Sequence, residues 1–301
     1  MIRSIAAVLA ATFLTAPLSA QIGVRASTQT SQSGDEQEAI VITGQKKKEI
    51  AKALRQMIEP TERGDQLARF EDKVCPMVIG MPRDWTARMT RMIRDNIAAV
   101  GGKLEAPGCK PNALAIFIDQ PNDLIAALHE EEPHLFNMEP REFDNFARRP
   151  GPIWSWHVTD LRGRDGEQLA QGKSGVNDFA VVKNAAASRL YTNIREDMLA
   201  GFVVVDRPKT VGKSLRQIAD LLTMHLLLDV KPDAGSRDKA SILSLFEPRG
   251  DNEALPARFS SFDKGALTGF YTQRENNRTA RQQQLNIAGA MAKAEKEEGK
   301  K

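Results

Sequence analysis

The chain has 301 residues, enough for one sizeable core plus tails. Its hydrophobic fraction of 41% is ordinary for a water-soluble fold, and 42 basic against 39 acidic residues leave a net charge of +3. A balance this even does not point to nucleic acid or an anionic membrane as the main partner, and neither is expected.

Residues 1–20 (MIRSIAAVLAATFLTAPLSA) read as a secretory signal peptide. Arg3 gives the positive start, Ile5–Leu14 the apolar run, and Leu18-Ser19-Ala20 a small-residue cleavage site before Gln21. The run is shorter than the roughly 20 residues that a spanning helix needs, and Pro17 breaks it. No cysteine follows to take a lipid anchor, and no second stretch is long enough to span. A periplasmic protein without stable membrane insertion is the expectation.

Residues 21–64 form the lead-in. Residues 21–38 are Ser/Thr/Gln-rich and read as flexible. Ala39–Gln45 (AIVITGQ) is a β-prone burst ending near a glycine, and it is similar to a box near the mature N-terminus of exported proteins and outer-membrane receptors of some Gram-negative bacteria; an added edge strand is the other reading. Lys46–Ile58 has the spacing of an amphipathic helix with Ile50, Ala53, Leu54, Met57 and Ile58 inward, ended by Pro60.

A single α+β domain is expected over 65–273. Cys75–Met81 reads as a buried strand, Pro82–Val100 as a helix stopped by Gly101-Gly102, and Asn112–Asp119 as a second strand. Trp85, Met89, Met92, Ile93, Ile97 and Val100 share the inner face of that helix, with arginines on the solvated side. Cys75 and Cys109 each precede a strand. In an oxidising compartment an isolated pair points to a disulfide rather than a metal or catalytic site, with two free buried thiols as the alternative. Parallel strands joined by a crossover helix would bring the two together.

Asn122–Glu131 is a short helix. Ile153–Asp160 (IWSWHVTD) alternates with period two, so Trp154, Trp156 and Val158 face one way and Ile153, Ser155, His157 and Thr159 the other. Asp165-Gly166 and Gln168–Gln171 suggest a hairpin return, and Phe179–Lys183 and Leu199–Asp206 are further strands. Ser214 with Gln217 three residues on is a capping-box start for a helix that is apolar on nearly every side from Ile218 to Leu228. Arg216, Asp220 and Thr223 are its polar strip, and His225 sits in its middle. Ser241–Phe246 is a tight segment, and Ser260/Ser261 cap a closing helix with Phe262, Leu267, Phe270 and Tyr271 inward. Residues 274–301 read as a polar tail, a frayed helix or disorder.

The usual catalytic patterns are missing. His129 and His134 stand five apart, about 140° from each other on a helix of 3.6 residues per turn, whereas a zinc-protease pair needs four. No Gly-rich phosphate loop, Gly-x-Ser-x-Gly elbow or CxxC spacing occurs, so neither a cofactor nor a metal is expected.

The order of elements, with the buried helix followed by Ser241–Phe246 and by Phe259–Asp263 opening the last helix, resembles the layout of metzincin-type zinc peptidases. CPxVxG from Cys75, Pro111-Asn112, Trp156-His157 and SIxxLF from Ser241 are also similar to a group of uncharacterised exported bacterial proteins. Together the resemblances cover about residues 65–272. They imply a twisted mixed sheet packed on helices, zincin-like, around a buried central helix. Carried over with His225 as second histidine of HExxHxxGxxH, the first falls on Leu221, the glutamate on Leu222, the glycine on Leu228 and the third ligand on Lys231. Zinc needs at least three N, O or S donors, and the water needs a base. The expectation is therefore a non-catalytic binding or structural domain that takes an envelope protein or peptide in a cleft marked by Trp154, Trp156, His157 and His225. Two alternatives stay open: a hydrolase centred on His225 or His157, and an accessory factor of an outer-membrane receptor acting through Ala39–Gln45.

Overall fold

Chain order in the computed structural model runs α1 (Gln32–Met57), β1 (Pro76–Ile79), α2 (Arg83–Ala99), β2 (Ala113–Ile118), α3 (Pro121–Glu131), α4 (Pro140–Arg148), β3 (Ile153–Gly163), β4 (Ala170–Ser174), β5 (Asn177–Val181), β6 (Ile194–Asp206), α5 (Leu215–Leu227), α6 (Ala234–Arg237), α7 (Ser261–Tyr271) and α8 (Ala280–Glu298). The structure describes residues 32–61, 65–136, 138–174, 177–182, 191–274 and 276–298, with 32–44, 171–180 and 298 described by backbone alone. The leader, residues 21–31 and Lys183 lie outside them. The chain divides into two units, Met1–Ile40 and Val41–Lys301. In the first, residues 32–40 are helical. Among the described residues, the second holds the strands and the other helices.

A four-stranded mixed sheet has the order β1-β2-β6-β3, with β1, β2 and β6 parallel and β3 antiparallel at the edge. β4 and β5 form a separate hairpin, and the return after Asp165-Gly166 meets β3 at an Arg162–Gln168 bridge. The α2 crossover brings the starts of β1 and β2 together as the spacing implied. Cys75 and Cys109 form a disulfide with their Cα atoms 6.1 Å apart. Gly101, at φ 85°, stops α2 in the left-handed conformation that a side chain resists. Met89, Ile93, Ile97 and Val100 are buried as expected, but Trp85 in the first turn is 51% exposed.

Side chains alternate across the sheet. Val203 and Val205 face the main core, made with α1, α2, α5, α7 and α8; Val204 faces a second core with Ile125, Phe136, Phe143, Trp154 and Trp156. α5 lies in the main core, with every residue from Ile218 to Leu227 buried and both halves of the Ser214/Gln217 capping box made. Each fully buried leucine there contributes roughly 1.5–3 kcal/mol. Its polar strip is buried as well. Asp220 accepts from Asn96 of α2 at 2.9 Å and from the Phe259 N–H at 2.9 Å, and Asn96 also donates to Thr223 at 3.0 Å.

Three expectations are corrected. Ala39–Gln45 is part of α1 rather than a strand, the helix running on from Gln32 through its β-branched residues. The accessory-factor reading built on that box loses its strand. The helix assigned to the lead-in is part of the core: Ile50, Ala51, Leu54, Met57 and Ile58 are buried. The expected polar tail is α8, whose Ala280, Ile287, Ala288, Met291 and Ala292 are buried. Small residues and a few spaced apolar ones suffice there, because α8 packs on α7, where Gly269 leaves room for Ile287. No helix among the described residues is long and apolar enough to cross a membrane.

Candidate functional site

The site grows from β3. Asp206 N–H donates to the Pro152 carbonyl at 2.9 Å, so the Pro152–Asp206 pair belongs to the hydrogen-bonded set of this antiparallel ladder. In such a ladder the sets alternate, which puts Trp154 and Trp156 in that set and Ser155 and His157 in the other. The backbone N–H and C=O groups of Ser155 and His157 therefore point away from β6, along the outer edge of the sheet. Gly201, opposite His157, is in the same phase: its N–H turns the other way, to Asn112 O of the β2 side at 2.9 Å.

The side chains of β3 divide as the period-two pattern implied. Trp154 and Trp156 enter the second core, where Trp156 stacks on Phe136 and Phe202 at ring distances of 4.7 and 5.1 Å and donates to Leu135 O at 3.1 Å. Ser155 and His157 face α5. His157 donates from Nε2 to the Leu226 carbonyl at 3.3 Å, and Ser155 Oγ lies 2.9 Å from Nδ1 of His225. The structure thus brings His157 and His225 together and turns both tryptophan rings to the opposite face. Gly201 allows this approach, since a Cβ there would lie 3.0 Å from Leu226 O and 3.1 Å from the His157 ring.

Two adjoining cavities open along this edge. One, of about 340 Å³, is lined by Ser155, Trp156, His157, Thr159, Glu196, Asp229, Glu59 and Glu142 among others; the second, of about 160 Å³, by Ser155, His225, Leu221 and Lys231. Arg149 borders both and donates to Ile153 O at 3.2 Å. The chain brings the acids in from afar. Ile58 bridges Val230, and the Glu59 N–H donates to Asp229 O at 2.8 Å, which places the end of α1 beside Asp229, two residues past α5. Glu196, from the start of β6, is 1% exposed and accepts from the hydroxyls of Thr61 and of Thr159, the latter at 2.7 Å.

Burial sets the electrostatics. It pushes the His157 imidazolium down to about 4, against a smaller opposing pull from the Leu226 carbonyl. His225 is held at about 3, first by burial and then by the charge of Arg149. Asp229 is raised to about 7 by loss of water and then by Glu59, Glu142 and Glu196. Both histidines are neutral near pH 7, and His157, whose Nε2–H donates to Leu226 O, keeps an unpartnered Nδ1 in the wall of the cleft, 3.9 Å from Asp229 Oδ1.

The places that a zinc peptidase fills with ligands do not fit a metal. At the first-ligand and base positions Leu221 and Leu222 are aliphatic and at most 1% exposed, at the third-ligand position Lys231 pairs with Glu59 at 3.7 Å, and among the described residues no three His, Cys, Asp or Glu come together closely enough to hold an ion. His129 stacks on Phe143 at 3.6 Å, and His134 lies 3.4 Å from Glu132 on the surface. The Ser155–His225 contact has the outline of a nucleophile and its base, but a base held near 3 accepts a proton poorly, and among the described residues no carboxylate orients its ring.

Sequence reasoning did not find Ser155, Glu196, Asp229 or Arg149. Ser155 was within reach, since it shares the alternating face of His157. Nothing in the spacing of Glu59, Glu196 and Asp229 announces that they meet. Compared with family models, curated proteins and solved structures, the chain matches none.

Proposed function

We propose that this is an exported, non-catalytic binding domain that takes an extended peptide segment of an envelope protein along the open edge of β3. The observation that carries it is the outward pair of backbone groups at Ser155 and His157, set in the floor of a cleft: an unpaired strand edge adds a peptide strand through main-chain hydrogen bonds. Export is supported by the leader-like residues 1–20 and by the Cys75–Cys109 disulfide, a bond that persists in oxidising compartments. The degenerate peptidase-like layout is supported by an antiparallel edge strand beside three parallel ones, the buried α5, the tight turn at Ile242–Phe246, and α7, whose Asp263 ties back to that turn.

Amide exchange tests the reading. Incubation with a pool of short extended peptides is expected to slow exchange at Ser155 and His157 and to leave the peptides uncut. Unchanged exchange across β3 at saturating peptide would refute it.

The second reading, a hydrolase, is favoured by one contact, Ser155 Oγ to His225 Nδ1 at 2.9 Å. Peptide cleavage abolished by both Ser155→Ala and His225→Ala would establish it in place of the first.

A further inference from the structure

The cleft holds an acceptor that nothing satisfies. His157 is 8% exposed, its Nε2 is engaged with Leu226 O, and its Nδ1 has no hydrogen-bond partner among the described residues. A buried acceptor left unmade costs about 1–3 kcal/mol, so the site favours an occupant that brings a donor. Nδ1 stops 3.9 Å from Asp229 Oδ1, too far for a direct hydrogen bond.

Around this atom the charge is one-sided. Asp229, Glu142 and Glu196 line the same cavity. Glu196 is bonded to two hydroxyls, which orient a carboxylate but leave its charge. The nearby cations do not answer these groups: Lys231 pairs with Glu59 at 3.7 Å, and Arg149 lies over the Phe146 ring with its guanidinium on Ile153 O. The crowding of carboxylates is part of what holds the Asp229 proton, and an arriving positive charge would relieve it.

Resting on the peptide-binding reading above, we propose that this end of the cleft is a specificity pocket for a lysine or arginine side chain of the ligand, its N–H groups donating to His157 Nδ1 and its charge meeting Asp229 and Glu196. An ammonium or guanidinium supplies the donor and the charge together. An apolar side chain supplies neither, and an acidic one adds repulsion. A bare metal ion is a poorer match, since no three ligating residues converge among the described residues. Bound along the β3 edge, a peptide sends alternate side chains to the face that His157 shares, which brings one of them to the pocket.

The test uses capped pentapeptides of alanine with lysine, norleucine or glutamate at the centre, titrated calorimetrically into the full chain near neutral pH. Norleucine keeps the aliphatic stem and lacks only the charged head. The lysine peptide is expected to bind roughly tenfold tighter than the norleucine one, with glutamate weakest. Asp229→Asn and Glu142→Gln, the latter on the exposed surface of α4, should each narrow the gap between lysine and norleucine, Asp229→Asn the more. Equal binding of lysine and norleucine, with the Ser155 and His157 amides still protected, overturns the pocket and leaves the edge reading standing. Binding that needs added zinc or calcium also overturns the pocket. Failure of every peptide to protect those amides overturns both.

Discussion

Nδ1 of His157 stands 3.9 Å from Oδ1 of Asp229, and the fold pushes the two groups in opposite directions, the imidazole towards losing its proton and the carboxyl towards keeping one. Near pH 7 the imidazole is therefore uncharged and the carboxyl only part ionised, within a cleft that Glu59, Glu142 and Glu196 also line.

The pH dependence of stability has opposed contributions. Unfolded, His157 and His225 take up protons below about 6.5, but folded they resist until about 4 and 3. The unfolded state binds more protons in that window, so stability falls as pH drops from 6.5 towards 4, by at most about 1.4 kcal/mol per pH unit for each histidine. Asp229 acts in reverse: its folded value of about 7 lies above the ordinary 3.8, so its share is lost as pH rises between them. With its side chain 39% exposed, solvent screens that share and makes it the smaller. Urea midpoints measured across this range should fall on acidification, less steeply in His225→Gln and more steeply in Asp229→Asn. An unaltered slope in His225→Gln would show that the imidazole is not buried neutral.

Gly201→Ala is expected to destabilise by about 1–3 kcal/mol, since its Cβ would meet the Leu226 carbonyl at 3.0 Å and the His157 ring at 3.1 Å. The measurement is thermal unfolding, paired with the His157 ring resonances by NMR. These should shift even where the fold survives, because β6, α5 and the imidazole cannot all keep their places.

Asp263→Ala removes the acceptor for the Ser241 hydroxyl at 2.6 Å, the Ile242 N–H at 2.8 Å and the Ser260 N–H at 2.9 Å. Buried donors left unpaired cost about 1–3 kcal/mol each, so a loss of several kcal/mol is expected in chemical denaturation. A loss below about 1 kcal/mol would mean that water replaces the carboxylate.

Truncation after Arg274 should leave a chain that unfolds at much lower temperature, or does not fold, as followed by circular dichroism. Gln283 of α8 accepts from the Leu67 N–H at 2.7 Å and donates to Leu67 O at 3.2 Å, and Ile287 and Ala288 are fully buried. Gln283→Ala alone should weaken the fold by about 1–3 kcal/mol through the Leu67 amide it strands.

Much of the fold was legible because local signals agreed with one another. Ser214–Gln217 announced the start of α5, and the period-two run at Ile153–Asp160 divided the tryptophans from His157 by face alone. Ala39–Gln45 misled because β-branched residues express only a weak local preference, which the longer helix overrides. For α8 a frayed helix stood open beside disorder, and only its burial went unread, because alanines and glutamines bury little area each and look solvated in a row. α4 went unread, its two inward phenylalanines, Phe143 and Phe146, being too brief a pattern. The acidic cleft could not be read at all. Glu59, Glu196 and Asp229 come from three separate elements, and only the Ile58–Val230 bridge and the pairing of β6 bring them together.

The strand order also governs how the sheet can assemble. β6 is the last of its four strands to be synthesised, yet it lies between β2 and β3 and pairs with both. Until residues 194–206 arrive, the earlier strands are a disulfide-tied pair on one side and a lone ribbon on the other, each with an open flank. Closure waits for a contact far along the chain, which makes assembly slow and leaves sticky edges in the interval. Any factor that shields unfinished β-structure should matter more to the yield of this protein than to its final stability.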